Sequence, residues 1–157
     1  MNLIIKIIEF IKNILNLNKM DLTNTITVTE TTYQIKPIMT DYEKKFYNIL
    51  KTLEDEFIII PQLNLASIIQ KKNNNRYYSE LFRNIDFAIF DKKLEKILLL
   101  IEIDDKTHNS YKRKDRDLKI KKICNDVNLK LIHFYTKYPN EPEYVLNRIK
   151  NEIYDNH

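Results

Sequence analysis

The feature that most constrains the fold is an apolar strand pair that carries acids. Residues 85–108 read IDFAIFDKKLEKILLLIEIDDKTH. Two runs of strand character, Ile85 to Phe90 and Ile97 to Ile103, flank a short charged turn, which is the pattern of a hairpin. One carboxylate interrupts each run: Asp86 in the first, Glu102 in the second. A carboxylate inside an apolar sheet is costly unless something compensates it. A register that pairs Phe90 with Leu98 and Ala88 with Leu100 sets Asp86 opposite Glu102. Side chains alternate with period two, so both acids, and Asp104 next to Glu102, fall on one face. Like charges directly opposite destabilise a bare sheet. A divalent cation removes the conflict, because hard cations take carboxylate oxygens. The stretch therefore predicts a metal site built on a hairpin.

The rest of the chain supplies elements to surround it. Residues 2–17, NLIIKIIEFIKNILNL, place polar residues at helical spacing and predict an amphipathic helix with a wide apolar face. Two readings of that face stand side by side: packing on its own domain or a twin subunit, which is favoured, and contact with a membrane surface. The segment is too short and too charged for a membrane span, and it lacks the small-residue cleavage site of a secretory signal. Asn18 to Asn24 reads as a polar linker, and Thr25 to Lys36 as an extended segment or edge strand. The main domain is then expected over 37–157, with 1–36 as an extension.

Thr40-Asp41-Tyr42-Glu43 is a capping box for a helix from Asp41 to about Leu53, with Phe46, Ile49, Leu50 and Leu53 inward. Phe57 to Ile60 reads as a buried strand ended by Pro61, and Leu63 to Ile69 as a short strand with a helical turn. Residues 71–76, KKNNNR, form a basic loop, and Tyr77 to Arg83 has helical spacing. Asn109 or Ser110 can cap a helix to about Val127, with Ile120, Ile123 and Val127 facing a core. Leu129 to Tyr135 reads as a strand. Asn140 with Glu143 is a second capping signal, opening a helix that buries Val145, Ile149 and Ile153. The helix after the hairpin is long enough for a right-handed crossover, which makes the last strand parallel to the one at Ile97.

Composition excludes more than it selects. The chain has 157 residues, enough for one domain with a real core. The single cysteine, Cys124, excludes a disulfide framework and any Cys-rich zinc site, and fits a reducing, cytoplasmic setting. Glycine is absent. That excludes the Gly-rich phosphate loops, so no nucleotide cofactor is expected, and it hands the tight turns to Asn, Asp and Lys. The net charge of +4 permits a nucleic-acid partner without requiring one.

Four pieces in this order, Thr40-x-x-Glu43-x-x-Phe46, Ile85-Asp86-Phe87, Ile101-Glu102-Ile103-Asp104-Asp105-x-x-His108 and Arg113-x-x-Arg116-Asp117, resemble the PD-(D/E)XK nuclease superfamily over roughly Pro37 to Tyr135. Within it the chain looks most like a bacterial domain family close to the very-short-patch-repair endonucleases. The resemblance implies an α/β restriction-endonuclease-like core: a mixed four-stranded sheet, antiparallel but for one parallel crossover, flanked by helices. It implies that Asp86 and Glu102 bind Mg²⁺ or Mn²⁺ with help from the Ile103 carbonyl, and that the substrate is DNA. A lysine usually stands two residues after the glutamate in the superfamily; here Asp104 occupies that position. The lysine's work of positioning water and stabilising charge then passes to Lys106, Lys119, Lys121 or His108. Glu43 matches a first-helix acid that sometimes joins such sites.

Each assignment has a plainer counterpart. Asp86 and Glu102 on an exposed hairpin would simply face water, but the apolar run before Glu102 argues against that. Asp104 is either a third ligand or a strand-end turn acid. His108 is within reach as a general acid or base, or is a helix-start histidine bonded to its loop. The capping box by itself accounts for Glu43. Arg113, Asp117 and Lys121 can form i,i+4 ion pairs. Lys112, Arg113, Arg116 and Lys119 make a basic stripe beside the acids, suited to a phosphate backbone or to plain solvation. Arg76 in the basic loop could add a phosphate contact, with a plain flexible loop the favoured reading there. The expected function is metal-dependent endonucleolytic hydrolysis of DNA. The alternative is a catalytically inactive nucleic-acid-binding module on the same fold. A homodimer is compatible with either.

Overall fold

The computed structural model describes residues 3–23, 32–72, 79–105 and 111–155, with the backbone alone at Leu3, Ile5, 16–23 and 111–114. The chain divides into two compact units, Met1–Lys36 and Pro37–His157. The first holds helix α1, Leu3–Thr23. The helix runs through the segment expected as a linker from Asn18, which contains neither Pro nor Gly to stop it. Among the described residues no helix is long and apolar enough to cross a membrane. The strand expected from Thr25 lies largely outside the described residues, and 32–36 carry no strand.

The second unit is α/β. Helix α2 (Asp41–Leu50), strands β1 (Ile58–Asn64), β2 (Asn84–Phe90) and β3 (Ile97–Asp104), helix α3 (Tyr111–Asp126), strand β4 (Leu131–Tyr135) and helix α4 (Pro142–Tyr154) follow in chain order. The strands form one mixed sheet in the order β1-β2-β3-β4. The first two pairings are antiparallel, and β3–β4 is parallel across α3. The sheet divides the core in two. One face packs Phe87, Ile89, Leu99, Ile101, Ile132 and Phe134 against α2 and α4. The other packs Ala88, Phe90 and Leu100 against Ile120 and Cys124 of α3.

Local chemistry explains most boundaries. Thr40 caps α2 and Glu43 returns the bond, a complete capping box. The hairpin turn between β2 and β3 is held by Asp91, whose Oδ1 accepts the Glu95 and Lys96 N–H groups at 2.8 and 2.9 Å. Its left-handed position falls on Leu94, with φ 58°, where only a side chain with a Cβ was available. Asn128 and Asn140 take two of the other left-handed positions, as a chain without glycine must arrange.

Several expectations need correction. Pro61 does not end the first strand; it pairs with Phe87 and β1 continues to Asn64. β1 is an edge strand, where a missing N–H leaves no inner ladder incomplete. A register irregularity sits between Ile89 and Phe90, so Phe90 pairs with Ile97 and not Leu98, while Ala88↔Leu100 holds. The helix expected over Tyr77 to Arg83 is only a single 3₁₀ turn, Ser79–Leu81, among the described residues. In α3 the inward stripe is Ile120 and Cys124; Val127, past the end of the helix, is exposed. Asn140 does not cap α4, which starts from Glu141 with Pro142 at its head. Asn140 is instead buried, donating from Nδ2 to the Tyr42 hydroxyl and the Tyr135 carbonyl.

Candidate active site

The β2–β3 ladder stops at Phe87↔Ile101. One residue further, Asp86 uses its side chain where a backbone partner would stand: Oδ2 accepts the Ile103 N–H at 2.7 Å. Leu100 donates its N–H to Lys130, and Asp104 accepts from the Thr136 N–H. Even-numbered residues of β3 thus turn their backbone toward β4, and the Ile103 carbonyl faces β2 beyond the last paired residues. Asp86, Glu102, Ile103 and Asp104 line one cleft of about 500 Å³, with Arg83, Asn84, Arg116, Asp117, Ile120 and His133 among its other walls.

The cleft's electrostatics follow from that geometry. Burial raises the Asp86 carboxyl above the ordinary range; the Ile103 N–H opposes this, and nearby Glu43 adds to it. Burial raises Glu102 further still, with the Asp86 charge next and Asp104 after it, and Arg116 partly offsetting them. Two acids that cannot both ionise easily share a proton and titrate as a unit. Beneath them the Cys124 thiol is pushed up to about 11, by burial first and by Glu102 second.

The residue types fit a hard divalent cation. Asp86 and Glu102 offer carboxylate oxygens and Ile103 a carbonyl, and a bound cation would compensate the buried, crowded negative charge that raises both acids. Among the described residues no three His, Cys, Asp or Glu side chains form a complete cage. An ion held here would have to complete its shell with water and substrate oxygens, which is the habit of Mg²⁺.

The other candidate residues distribute unevenly. Glu43 keeps its capping role and also accepts a 3.4 Å contact from Gln62 Nε2, which lies 3.5 Å from Asp86 Oδ1. Arg116 lies in the cleft wall and pairs with Asp117 at 3.7 Å. Lys119 is exposed and pairs with Asp115 at 2.6 Å. Lys121 is exposed on α3, away from the cleft lining, and Asp117 takes Arg116 as its partner. Lys106 and His108 lie outside the described residues, as does Arg76; of Lys112 and Arg113 only the helical backbone is described.

Two residues at the site escaped sequence reasoning. Gln62 takes up a left-handed backbone, φ 52°, right after Pro61. Strain of that kind gathers where a side chain must be aimed, and nothing in the local sequence marks it. His133 stands beside Glu102 in the parallel register, and its Nδ1 meets Asp104 Oδ2 at 2.7 Å. A signal for it existed: the crossover puts the Leu129–Tyr135 run beside β3. Only the register places its histidine level with the acids.

Residues 35–155 match the model of a family described as protein of unknown function (DUF2726). No curated protein and no solved structure matches the chain.

Proposed function

The chain belongs to the DUF2726 family, and we propose that it is a metal-dependent nuclease that hydrolyses DNA phosphodiester bonds on a restriction-endonuclease-like core. One observation carries this reading: Asp86 and Glu102, from adjacent strands, converge in a cleft where burial raises both carboxyls, with Glu43 adding to it at Asp86 and the Asp86 charge adding to it at Glu102. A protein that pays this electrostatic penalty at the end of an otherwise apolar sheet has a use for the charge. Asp86, Glu102 and the Ile103 carbonyl would hold Mg²⁺ or Mn²⁺. Bound there, the ion would supply Lewis-acid charge for the phosphate and an activated water.

The chain's own groups account for the rest. Arg116 on the cleft wall sets a positive charge opposite the acids, suited to a phosphate oxygen. The Ile103 N–H holds one oxygen of the Asp86 carboxylate, which lines the cleft. Gln62 reaches the same carboxylate from β1 and also donates to Glu43. The exposed lysines of α3, Lys119, Lys121 and Lys122, extend basic charge along the helix that walls the cleft.

The test has two arms. Calorimetric titration of Mn²⁺ into the wild type and Asp86→Ala should give binding that the variant loses. Incubation with duplex, nicked and single-stranded DNA should give cleavage that needs Mg²⁺ or Mn²⁺ and stops in chelator. DNA retention in chelator with steep salt dependence and no cleavage under any condition would replace this reading with the binding module.

A further inference from the structure

The catalytic lysine expected two residues after Glu102 is replaced by Asp104, and Asp104 does not point its charge at the cleft alone. Its Oδ2 lies 2.7 Å from His133 Nδ1. A carboxylate has only lone pairs to offer, so Nδ1 carries the hydrogen, and in the neutral ring the lone pair is then on Nε2. Both side chains are partly shielded, His133 with 30% and Asp104 with 35% of their area exposed. The backbone of His133 is held as well: its carbonyl accepts Arg148 Nη1 at 3.0 Å, and that guanidinium lies 4.7 Å over the Phe134 ring. His133 therefore has a held main chain and a ring whose Nδ1 is committed to Asp104, and it lines the same cleft as Asp86 and Glu102.

We infer that His133, oriented by Asp104, is the water-positioning residue of this site: its Nε2 accepts a hydrogen bond from the water that attacks phosphorus. The role rests on the nuclease reading above and fills the place that the missing lysine leaves. The two-residue arrangement needs a carboxylate on β3 and a histidine on β4, one step apart across a parallel pair. Glu102↔His133 and Asp104↔Tyr135 provide that step. Orienting a single water correctly is worth about 100-fold in rate.

The experiment combines a spectrum with kinetics. Long-range ¹H–¹⁵N correlation spectra of the full chain should show His133 as the Nδ1–H tautomer, and Asp104→Ala should shift it toward the Nε2–H form. In Mn²⁺ with the DNA substrate that the wild type cuts, His133→Ala should lower kcat about 100-fold while KM stays within about threefold. His133→Gln, whose carboxamide oxygen reaches the place of Nε2, should recover much of that loss; His133→Asn, which mimics Nδ1, should not. Thermal melts establish that each variant is folded. An Nε2–H tautomer in the wild type overturns the inference, as does an unchanged kcat in His133→Ala. A loss confined to KM overturns it too, since that would make His133 a binding group. Cleavage by the wild type that survives in the variant removes only His133's role. A wild type that never cuts removes the nuclease reading and this role together.

Discussion

The two faces of the sheet are made by the same strands and could hardly differ more. Toward α2 and α4 the face is aromatic and dry: the Phe46 and Phe134 rings lie 4.9 Å apart, and Phe87 lies 6.0 Å from both Phe46 and Tyr47. Toward α3 the face starts apolar, with Phe90, Ala88 and Leu100, and ends in Asp86, Glu102 and His133. Period-two alternation sends neighbouring residues to opposite faces, so one strand can hold a close-packed core on one side and ionisable groups on the other. The lesson is a division of labour. The first face supplies stability, and that lets the second keep charges that work against it.

The comparison breaks hardest at the acids. Asp86→Ala and Glu102→Ala should each lower metal-dependent DNA cleavage by about 1,000-fold or more, equivalent to at least about 4 kcal/mol of transition-state stabilisation, while the melting temperature holds or rises. A folded variant that still cuts at the wild-type rate would show that the charged face is not the working one. On the opposite face the effect should be the reverse. Phe87→Ala leaves a cavity in the aromatic cluster and should cost about 3–5 kcal/mol, read from denaturant unfolding, and any activity loss should track the unfolded fraction.

A pH series sharpens the contrast. Burial, first, and nearby carboxylates, Glu43 beside Asp86 and Asp86 beside Glu102, raise the two acids in the folded state. The native state then binds more protons than the unfolded chain above the ordinary carboxylate range, about pH 4. Stability of the metal-free protein should therefore fall as the pH rises from there through the raised values of the pair. Glu102→Gln should flatten that fall and raise the melting temperature at pH 8 by a few degrees. Added Mn²⁺ should flatten it in the wild type. An identical slope in wild type and variant would mean that the Glu102 carboxyl is not raised in the folded state. The smallest effect is expected at the head of α2. Thr40→Ala removes half of the capping box and should cost about 1 kcal/mol. The Glu43 side chain keeps the Thr40 backbone N–H in that variant, so cleavage should change only slightly.

The order of elements was legible because each carries its own local signal. The capping box at Thr40, the alternation in β2 and β3, and the 3.6-residue stripe of Val145, Ile149 and Ile153 all act within a few residues of themselves. Even the meeting of Asp86 with Glu102 could be anticipated, since a hairpin is a short-range pairing. The errors fell where a local rule met a non-local fact. Pro61 reads as a strand end until β1 is known to be an edge. Asn140 reads as a cap until its amide is found bonded to Tyr42, far away in sequence.

By itself, then, the amino-acid order determined most of the helices and strands, much of the core, and that two acids share a hairpin face. Those follow from periodicity and short-range sterics, which need no knowledge of the rest of the chain. Only the tertiary structure decided that His133 stands beside Glu102 and binds Asp104, and that Gln62 bends toward Asp86. It also decided that Arg116, and not Lys121, walls the cleft. Each of these depends on the register of strands separated by a helix or a loop, and on the rotation of α3 over the sheet. Both are set by how the whole core packs, and no short stretch of sequence encodes either.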